Sequence, residues 1–434
     1  MSDELFHRVR EALDQDDPHG ALRALRSGTR YPSDFDADSW GIVFEHLLEI
    51  ATTLGDQGPL GPALQAAGDT PEDPQALYDA GYHLIEVGLP DLAAGVLGFA
   101  LDLRPGDRAI VTELCCALED DMRFPDARAA LEAFPELWQE PNMARYLLAF
   151  HRLMTADIDG ARDLLDSLIK GDDEEMADTA RQVQDMVSRA DFAREVSPLG
   201  VEDLRGWHFV VNGAVLLHES PHGRDAGMNG RYAWVQDQEV LCRSAIDLVD
   251  TALQALGMSM PRVYLLPDRD SQILGTAAAA VLGLPAEPWP GDGAGLIVAY
   301  DIAALDEDTW REVAEHRPGQ LLWGHASQWT TRHPYCADLV TFLYQENTPP
   351  WGARLIVDSE TRKSDKAPAD DAPVEVIARR IAALDADNSE QDIDALRALV
   401  AAGAGSMGRF APLRDAGRRR RQWCGSPVHS GRFV

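Results

Sequence analysis

The sequence predicts an α + α/β protein: an N-terminal helical-repeat solenoid followed by a mainly parallel α/β sandwich domain. Three observations predict it. Small and apolar residues recur with a stride of 34 residues in the first half of the chain. Short β-branched words alternate with helical ones in the second half. Between them, Pro198-Leu199-Gly200 ends the repeat register. The expected domains are 1–197, 198–404 with a mobile loop over 359–372, and a flexible basic tail over 405–434.

The recurrence is carried by Ala93, Ala127 and Ala161, each followed four positions later by Leu97, Leu131 and Leu165. Three further on stand Ala100, Phe134 and Leu168, and twelve before the alanines stand Gly81, Cys115 and Ala149. A small residue on each helix of a pair lets the two approach, and the larger residues fill the seam. This pattern resembles the tetratricopeptide repeat (TPR). The match is best over 74–107, where Leu77, Gly81, Leu84, Ala93, Leu97, Ala100 and Pro105 fall in place. The next two units lack the closing proline at its position, and Leu77, Val111 and Arg145 replace the large aromatic of the first helix. Residues 4–28 and 39–67 read as further helix pairs, and a helix over 173–196 caps the stack. Paired helices of this kind bury their apolar sides only by stacking. The resemblance implies a concave face that binds a protein or peptide; a rigid arm or a self-association surface is the plainer alternative.

After residue 198, WHFVVNGAVLLHE (207–219) reads as a strand or a hairpin turning at Asn212-Gly213. A helix is expected over 237–257, a strand over 261–267, and a helix over 271–283 ending at glycine. Strands follow at 293–301, 319–326 and 352–358, with a helix through DEDTWREVAEH and two more at 373–385 and 390–402.

In a parallel sheet, ligands sit beyond the carboxyl ends of the strands. Those places hold Asp268, Arg269 and Ser271 with Asp270, then Asp301, then Gly324, His325 and Ser327. A helix opening at Arg269-Asp270-Ser271 offers free N–H groups to an anion, or Asp270 or Ser271 simply caps that helix. The candidate ligand-binding residues are therefore Arg269, Ser271, Asp268 and Ser327, and the candidate catalytic ones Asp270, His325 and Asp301. The order strand, polar loop, helix with A-x-x-L-G-L-P, strand resembles a phosphoribosyltransferase. That family places paired acids and a threonine-glycine loop after a later strand, where this chain ends its strand on a single aspartate, Asp301, and runs on as IAALDEDT without a glycine. An enzyme, if the chain is one, would then be transferase-like.

Other constellations lead nowhere. His218 and His222 are spaced as helical metal ligands, but Pro221 and Gly223 break such a helix and no third ligand follows at a fixed spacing. The five cysteines include no C-x-x-C pair, which fits a reducing, cytoplasmic compartment and neither a disulfide scaffold nor a paired-cysteine zinc site. Neither a metal nor a cofactor is expected. GDGAG (291–295) precedes its strand, the wrong order for a nucleotide loop.

Net charge is −33, and residues 1–200 hold 40 acidic against 16 basic side chains. Such a body repels nucleic acid and anionic membrane. No apolar run is long enough for a membrane helix. The tail RRRRQWCGSPVHSGRFV (418–434) is the exception, suited to nucleic acid, to docking in an acidic groove, or to no specific role. The reading favours an interaction or scaffold protein; the alternative is an enzyme acting on an anionic, nucleotide-like or phosphorylated substrate.

Overall fold

A computed structural model describes residues 2–56, 58–171, 173–357, 364–404 and 417–431. The chain divides into two compact units, Met1–Val183 and Gln184–Val434. The expected boundary at 197/198 lies later than this division, which falls inside a helix.

The first unit is a run of antiparallel helix pairs: α1 (Ser2–Asp14) with α2 (Pro18–Gly28), α3 (Ala37–Thr53) with α4 (Leu60–Asp69), α5 (Pro74–Glu86) with α6 (Pro90–Leu103), α7 (Arg108–Asp120) with α8 (Phe124–Glu132), and α9 (Met143–Leu153) with α10 (Ile158–Ile169). Helix α11 (Glu174–Ala193) follows. Local chemistry starts these helices. Asp17, Asp36, Asp73, Asp107 and Asp157 each accept a backbone N–H from the first turn that follows. Each such cap contributes about 1 kcal/mol, so part of the acidic excess has a structural role. Prolines preset the first turns of α2, α5, α6 and α8.

The repeat seam is as the spacing requires. Ala93, Ala127 and Ala161 are fully buried, and a Cβ on Gly81 would stand 2.6 Å from Leu97 Cγ. The Cys115 thiol donates to the Ala127 carbonyl at 3.6 Å. Arg145, where the family has an aromatic, donates to the carbonyls of Leu164, Trp138 and Gln139 at 3.0 to 3.2 Å. It ties α9 to its partner helix and to the preceding loop by hydrogen bonds rather than ring packing.

The second unit is a doubly wound sheet. Its strands are β1 (Val215–Leu216), β2 (Tyr232–Gln236), β3 (Val263–Leu265), β4 (Ala286–Pro288), β5 (Gly295–Asp301), β6 (Glu315–His316), β7 (Gln320–Gln328) and β8 (Leu339–Thr348). Without β6, they form one sheet in the order β1-β8-β7-β5-β3-β4, with β2 also on β8, and every pairing is parallel. The chain leaves β3 for β4 and returns to β5 on the other side, so the order reverses between β3 and β5. The helices are α12 (Leu204–Asn212), α13 (Glu239–Ala255), α14 (Arg269–Leu282), α15 (Glu307–Ala314), α16 (Val374–Ala383) and α17 (Ile393–Ala404).

Two expectations need correction. WHFVVN is not a strand but the body of α12, capped by Asp203 and ended by Gly213 at φ 67°. The segment is buried all round, and that burial overrides the β preference of Val210 and Val211. Residues 352–358 do not complete the sheet; Arg354–Val357 (β9) pairs antiparallel with Ser364–Ala367 (β10) in a separate ribbon. Leu355 and Ile356 are exposed there, unlike a central parallel strand, which is buried on both faces. The strand beside β7 is instead β8, which the sequence reading passed over. Of the loop expected over 359–372, residues 359–363 lie outside the described residues.

The arginine run is not a free end where it is described. Gly417–Arg418 (β11) pairs with β6, and Arg419 forms an ion pair with Asp338 at 3.0 Å with both side chains 1% exposed. Arg419 also donates to the Val313 carbonyl at 2.6 Å, while Arg421 lies over the Trp423 ring. Residues 405–416 and 432–434 of the tail lie outside the described residues.

Candidate functional site

The carboxyl ends of β3, β5, β7 and β8 meet the start of α13, and their polar side chains form two linked groups. In the first, Asp268 caps α14 by accepting the Ser271 N–H at 2.8 Å. The cap is thus Asp268, not Asp270 or Ser271, and its carboxylate takes the Ser271 N–H that an anion would need. Arg269 reaches away to the carbonyls of Asp370 and Ala372, at 2.8 and 3.0 Å. Asp270 accepts the Trp351 indole N–H at 2.5 Å, and burial raises its carboxyl above the usual range. The Ser271 hydroxyl accepts the Tyr300 N–H at 2.9 Å, joining α14 to β5.

Asp301, at the end of β5, accepts the Ala303 N–H at 3.0 Å and the Tyr344 hydroxyl. Burial pushes its carboxyl up to about 6, and the Tyr344 bond acts against that rise. The glycine-free loop after it forms a 3-10 turn at Ile302–Ala304, and α15 begins after a second capping aspartate, Asp306. This local structure differs from a threonine-glycine phosphate loop, because the Asp301 carboxylate already takes the Ala303 N–H.

The second group centres on a residue the sequence reading did not single out. Asp237 lies between β2 and α13 with its side chain fully buried. Its Oδ2 stands 2.8 Å from the Tyr300 hydroxyl, 3.1 Å from His325 Nε2 and 3.5 Å from Cys242 Sγ. Its Oδ1 accepts the Gln238 N–H at 2.6 Å, and Arg354 donates to its backbone carbonyl. Cys242 Sγ is itself 3.6 Å from His325 Nε2. His325 is ringed by Tyr300, Trp323 and Phe342.

This arrangement is not a nucleophilic triad. Such a triad uses one imidazole nitrogen toward the nucleophile and the other toward the carboxylate. Here carboxylate and thiol both face Nε2, and Nδ1 is buried with no hydrogen-bond partner among the described residues. Burial first, and then Asp237, drives the Cys242 thiol well above its usual range, the opposite of an activated cysteine. Asp237, Cys242 and His325 are nevertheless three side chains able to ligate one ion.

Beside this group lies a cleft of about 630 Å³, lined by Gln236, Gln238, Glu239, Arg354, Leu355 and Ile356 among others. Asp237 thus turns inward between two glutamines that face the cleft. The Gln236 side-chain amide bonds both backbone groups of Leu355, at 2.8 and 3.0 Å, and so fixes β9 along the rim.

The fold therefore places Asp268, Arg269, Asp270 and Ser271 at one end of α14, links Ser271 through Tyr300 to His325, and sets Asp301 beside Tyr344. Ser327 is not part of this group; its hydroxyl donates to Gln422 at 2.9 Å and anchors the tail. His218 bonds the Tyr232 hydroxyl at 2.9 Å, and burial lowers its pKa to about 4. The glycines of GDGAG pack against Tyr264, where a Cβ on Gly291 would lie 2.2 Å from the ring. The signal that could have exposed the centre is a lone acid ahead of α13 with an inward cysteine five positions on, at Asp237 and Cys242.

The architecture is that of an α + α/β protein, helical hairpin repeats followed by a doubly wound parallel sheet. No protein-family model matches the chain. No curated protein matches it. Among solved structures it is similar to a thermophilic TPR protein of Thermus thermophilus, at 16% identity, covering 42% of this chain and 99% of that one with a TM-score of 0.26. An overlap that small leaves the repeat assignment to rest on the hairpins themselves. Among the described residues no helix is long and apolar enough to cross a membrane.

Proposed function

We propose that this chain is an interaction or scaffold protein whose helical repeats hold a basic segment of a partner protein, and whose second unit binds a small ligand in the cleft beside Asp237. The observation that carries the first part is a cavity of about 330 Å³ in the repeats, lined by Tyr31, Leu101, Asp102, Pro105 and Phe134 with small alanines between. Two aromatic walls and the Asp102 carboxylate suit an extended peptide with an apolar anchor and a cationic neighbour. The surrounding charge has the matching sign. Arg26, Arg123, Arg128 and Arg152 of this unit are each engaged by carboxylates, leaving the surplus acids to set the field. Five cysteines outside any disulfide suit a reducing compartment such as the cytoplasm.

Binding of arrayed basic and acidic peptides to the full chain tests this reading. Basic peptides should bind, more weakly as salt rises, and Tyr31→Ala and Phe134→Ala should each weaken binding about tenfold, a typical hot-spot loss. Equal binding of acidic peptides, or no loss in either variant, refutes it.

The enzyme reading has the Arg354-lined cleft in its favour. Against it, Asp270 and Asp301 are engaged by protein donors and Arg269 by backbone carbonyls. Calorimetric titration of the full chain with nucleotides and sugar phosphates decides between the two. Turnover lost in Asp301→Asn would favour the enzyme, and a ligand bound without turnover would favour the scaffold.

A further inference from the structure

We infer that Asp237, Cys242 and His325 form a buried site for one divalent transition-metal ion, zinc by the chemistry of its ligands. The absence of a third ligand at a fixed spacing argues against a metal only for residues close in sequence. Here the strand and helix geometry supplies it, because β7 brings His325 beside the loop and first turn that carry Asp237 and Cys242.

Three observations carry the inference. The first is distance. Oδ2, Nε2 and Sγ form a triangle with sides of 3.1, 3.5 and 3.6 Å. A zinc ion at its usual bond lengths to oxygen, nitrogen and sulfur sets tetrahedral edges of about 3.3, 3.5 and 3.6 Å between those ligands. The second is proton count. Read as hydrogen bonds alone, Asp237 Oδ2 receives the Tyr300 O–H, the His325 N–H and the Cys242 S–H together. One carboxylate oxygen has lone pairs for about two donors. If the thiol turns to Nε2 instead, the imidazole proton sits on Nδ1, where a metal-bound imidazole would carry it too, so Nδ1 does not separate the two readings. With a cation in the triangle, thiolate sulfur and the Nε2 lone pair both point at the ion, and Tyr300 is left as a single donor to Oδ2. The third is charge. All three side chains are fully buried, and one carboxylate with one thiolate cancels a divalent cation, so the closed site is neutral and avoids an uncompensated buried charge.

The ligand set selects the metal. Thiolate and imidazole favour zinc, cobalt(II) or iron(II) over magnesium and calcium, which take oxygen ligands. Uptake is a balanced exchange: Cys242 releases its proton to solvent, the imidazole carries its proton on Nδ1, and three bonds to the metal form. Tyr300, through its hydroxyl on Oδ2, is a positioning residue.

The test uses the full chain without a polyhistidine tag, freed of metal by a chelator and titrated with Co²⁺. A near-ultraviolet thiolate-to-cobalt absorption should grow to about one equivalent per chain, the amount one such site holds. Zn²⁺ should abolish that absorption, and Mg²⁺ should not. Cys242→Ala should lose it, Cys424→Ala should keep it, and His325→Gln should lose it while its far-ultraviolet circular dichroism stays unchanged. Zinc content of the wild-type chain as purified is an independent reading that needs no variant to fold. A wild-type chain that carries no zinc and shows no cobalt–thiolate absorption overturns the inference and leaves a hydrogen-bonded hub only. An absorption that persists in Cys242→Ala overturns it as well. Neither result bears on peptide binding by the repeats.

Discussion

The two units bury different chemistry. Among the described residues of the helical unit, the buried polar side chains are Thr29, His46, Asp91 and His151. Several of its cation–carboxylate pairs, such as Arg10 with Glu49, lie half exposed at the surface, while Arg26 with the buried Asp91 is an inward exception. The sheet unit encloses Arg189, Arg205, Arg231, Asp237, His325, Asp338 and Arg419, among others. Arg205 reaches the carbonyls of Leu216, Leu217 and Asp392, and Arg189 those of Val210 and Val211. Hairpin repeats are held by an apolar seam between near neighbours in sequence. The sheet unit is fixed by polar groups that come together only after long crossovers. A buried polar group is costly unless its partner is in place, so the sheet unit tolerates loss of a partner least.

The sharpest way to break that contrast is to remove one charge from each unit. Arg419→Ala leaves Asp338 buried beside the Leu322 N–H alone. Loss of one partner of a buried ion pair costs about 3–5 kcal/mol. Eight of ten tryptophans lie after residue 198, so the denaturant midpoint read by tryptophan fluorescence should fall accordingly. Arg10→Ala, which breaks the exposed pair, should cost under about 1 kcal/mol by circular dichroism. Equal costs for the two variants would show that the buried polar network does not distinguish the units.

The same contrast explains what the sequence could disclose. Each expected helix pair of the first unit is present, because Gly81, Leu97 and their equivalents act over a few helical turns. Strand β3, helix α14 and strand β5 also announce themselves, by apolar runs bounded by proline, aspartate or glycine. Strand β8 does not. Its first half is apolar and its second half, Gln345–Thr348, is polar because it borders the strand-end site, so no single period runs through it. Strand ends pointed to Asp270, His325 and Asp301, but periodicity carries no information on which side chain faces them. Asp237, Tyr300, Tyr344 and Trp351 come from four segments that only the sheet order brings together. Arg419 was hidden in a run of like charges that read as a flexible tail, whereas Asp338 is buried opposite it.

A subtler variant probes the apolar seam. Gly81→Ala places a methyl group 2.6 Å from Leu97 Cγ, and overpacking of this kind costs about 1–3 kcal/mol. Leu97→Ala alone leaves a cavity, at about 2–5 kcal/mol. Combined, the two should cost less than their sum by at least about 0.5 kcal/mol, the coupling of residues in direct contact. Additive costs in thermal unfolding would mean that α5 and α6 do not meet at this pair.

The smallest expected effect concerns His151, a buried ring in the repeats. Both ring nitrogens of His151 lack a hydrogen-bond partner among the described residues, and burial lowers its pKa from 6.5 to about 3. Between those two values the unfolded chain binds a proton that the folded chain refuses, so stability falls as pH drops below 6.5 and the loss levels off near 3. At pH 5.5, one unit below the unfolded value, the loss from this group is about 1.4 kcal/mol. His46, also lowered by burial, adds to the same trend, whereas Glu113, raised by burial, opposes it at lower pH. The His151→Leu variant isolates the group. Its midpoint, followed by far-ultraviolet circular dichroism, should fall less between pH 7.5 and 5.5 than that of the wild-type chain. It should also unfold later at pH 7.5, because an apolar ring site no longer holds two unpaired nitrogens. If wild type and variant lose the same stability over that interval, His151 is hydrated in solution and the helical seam is wetter than its packing implies.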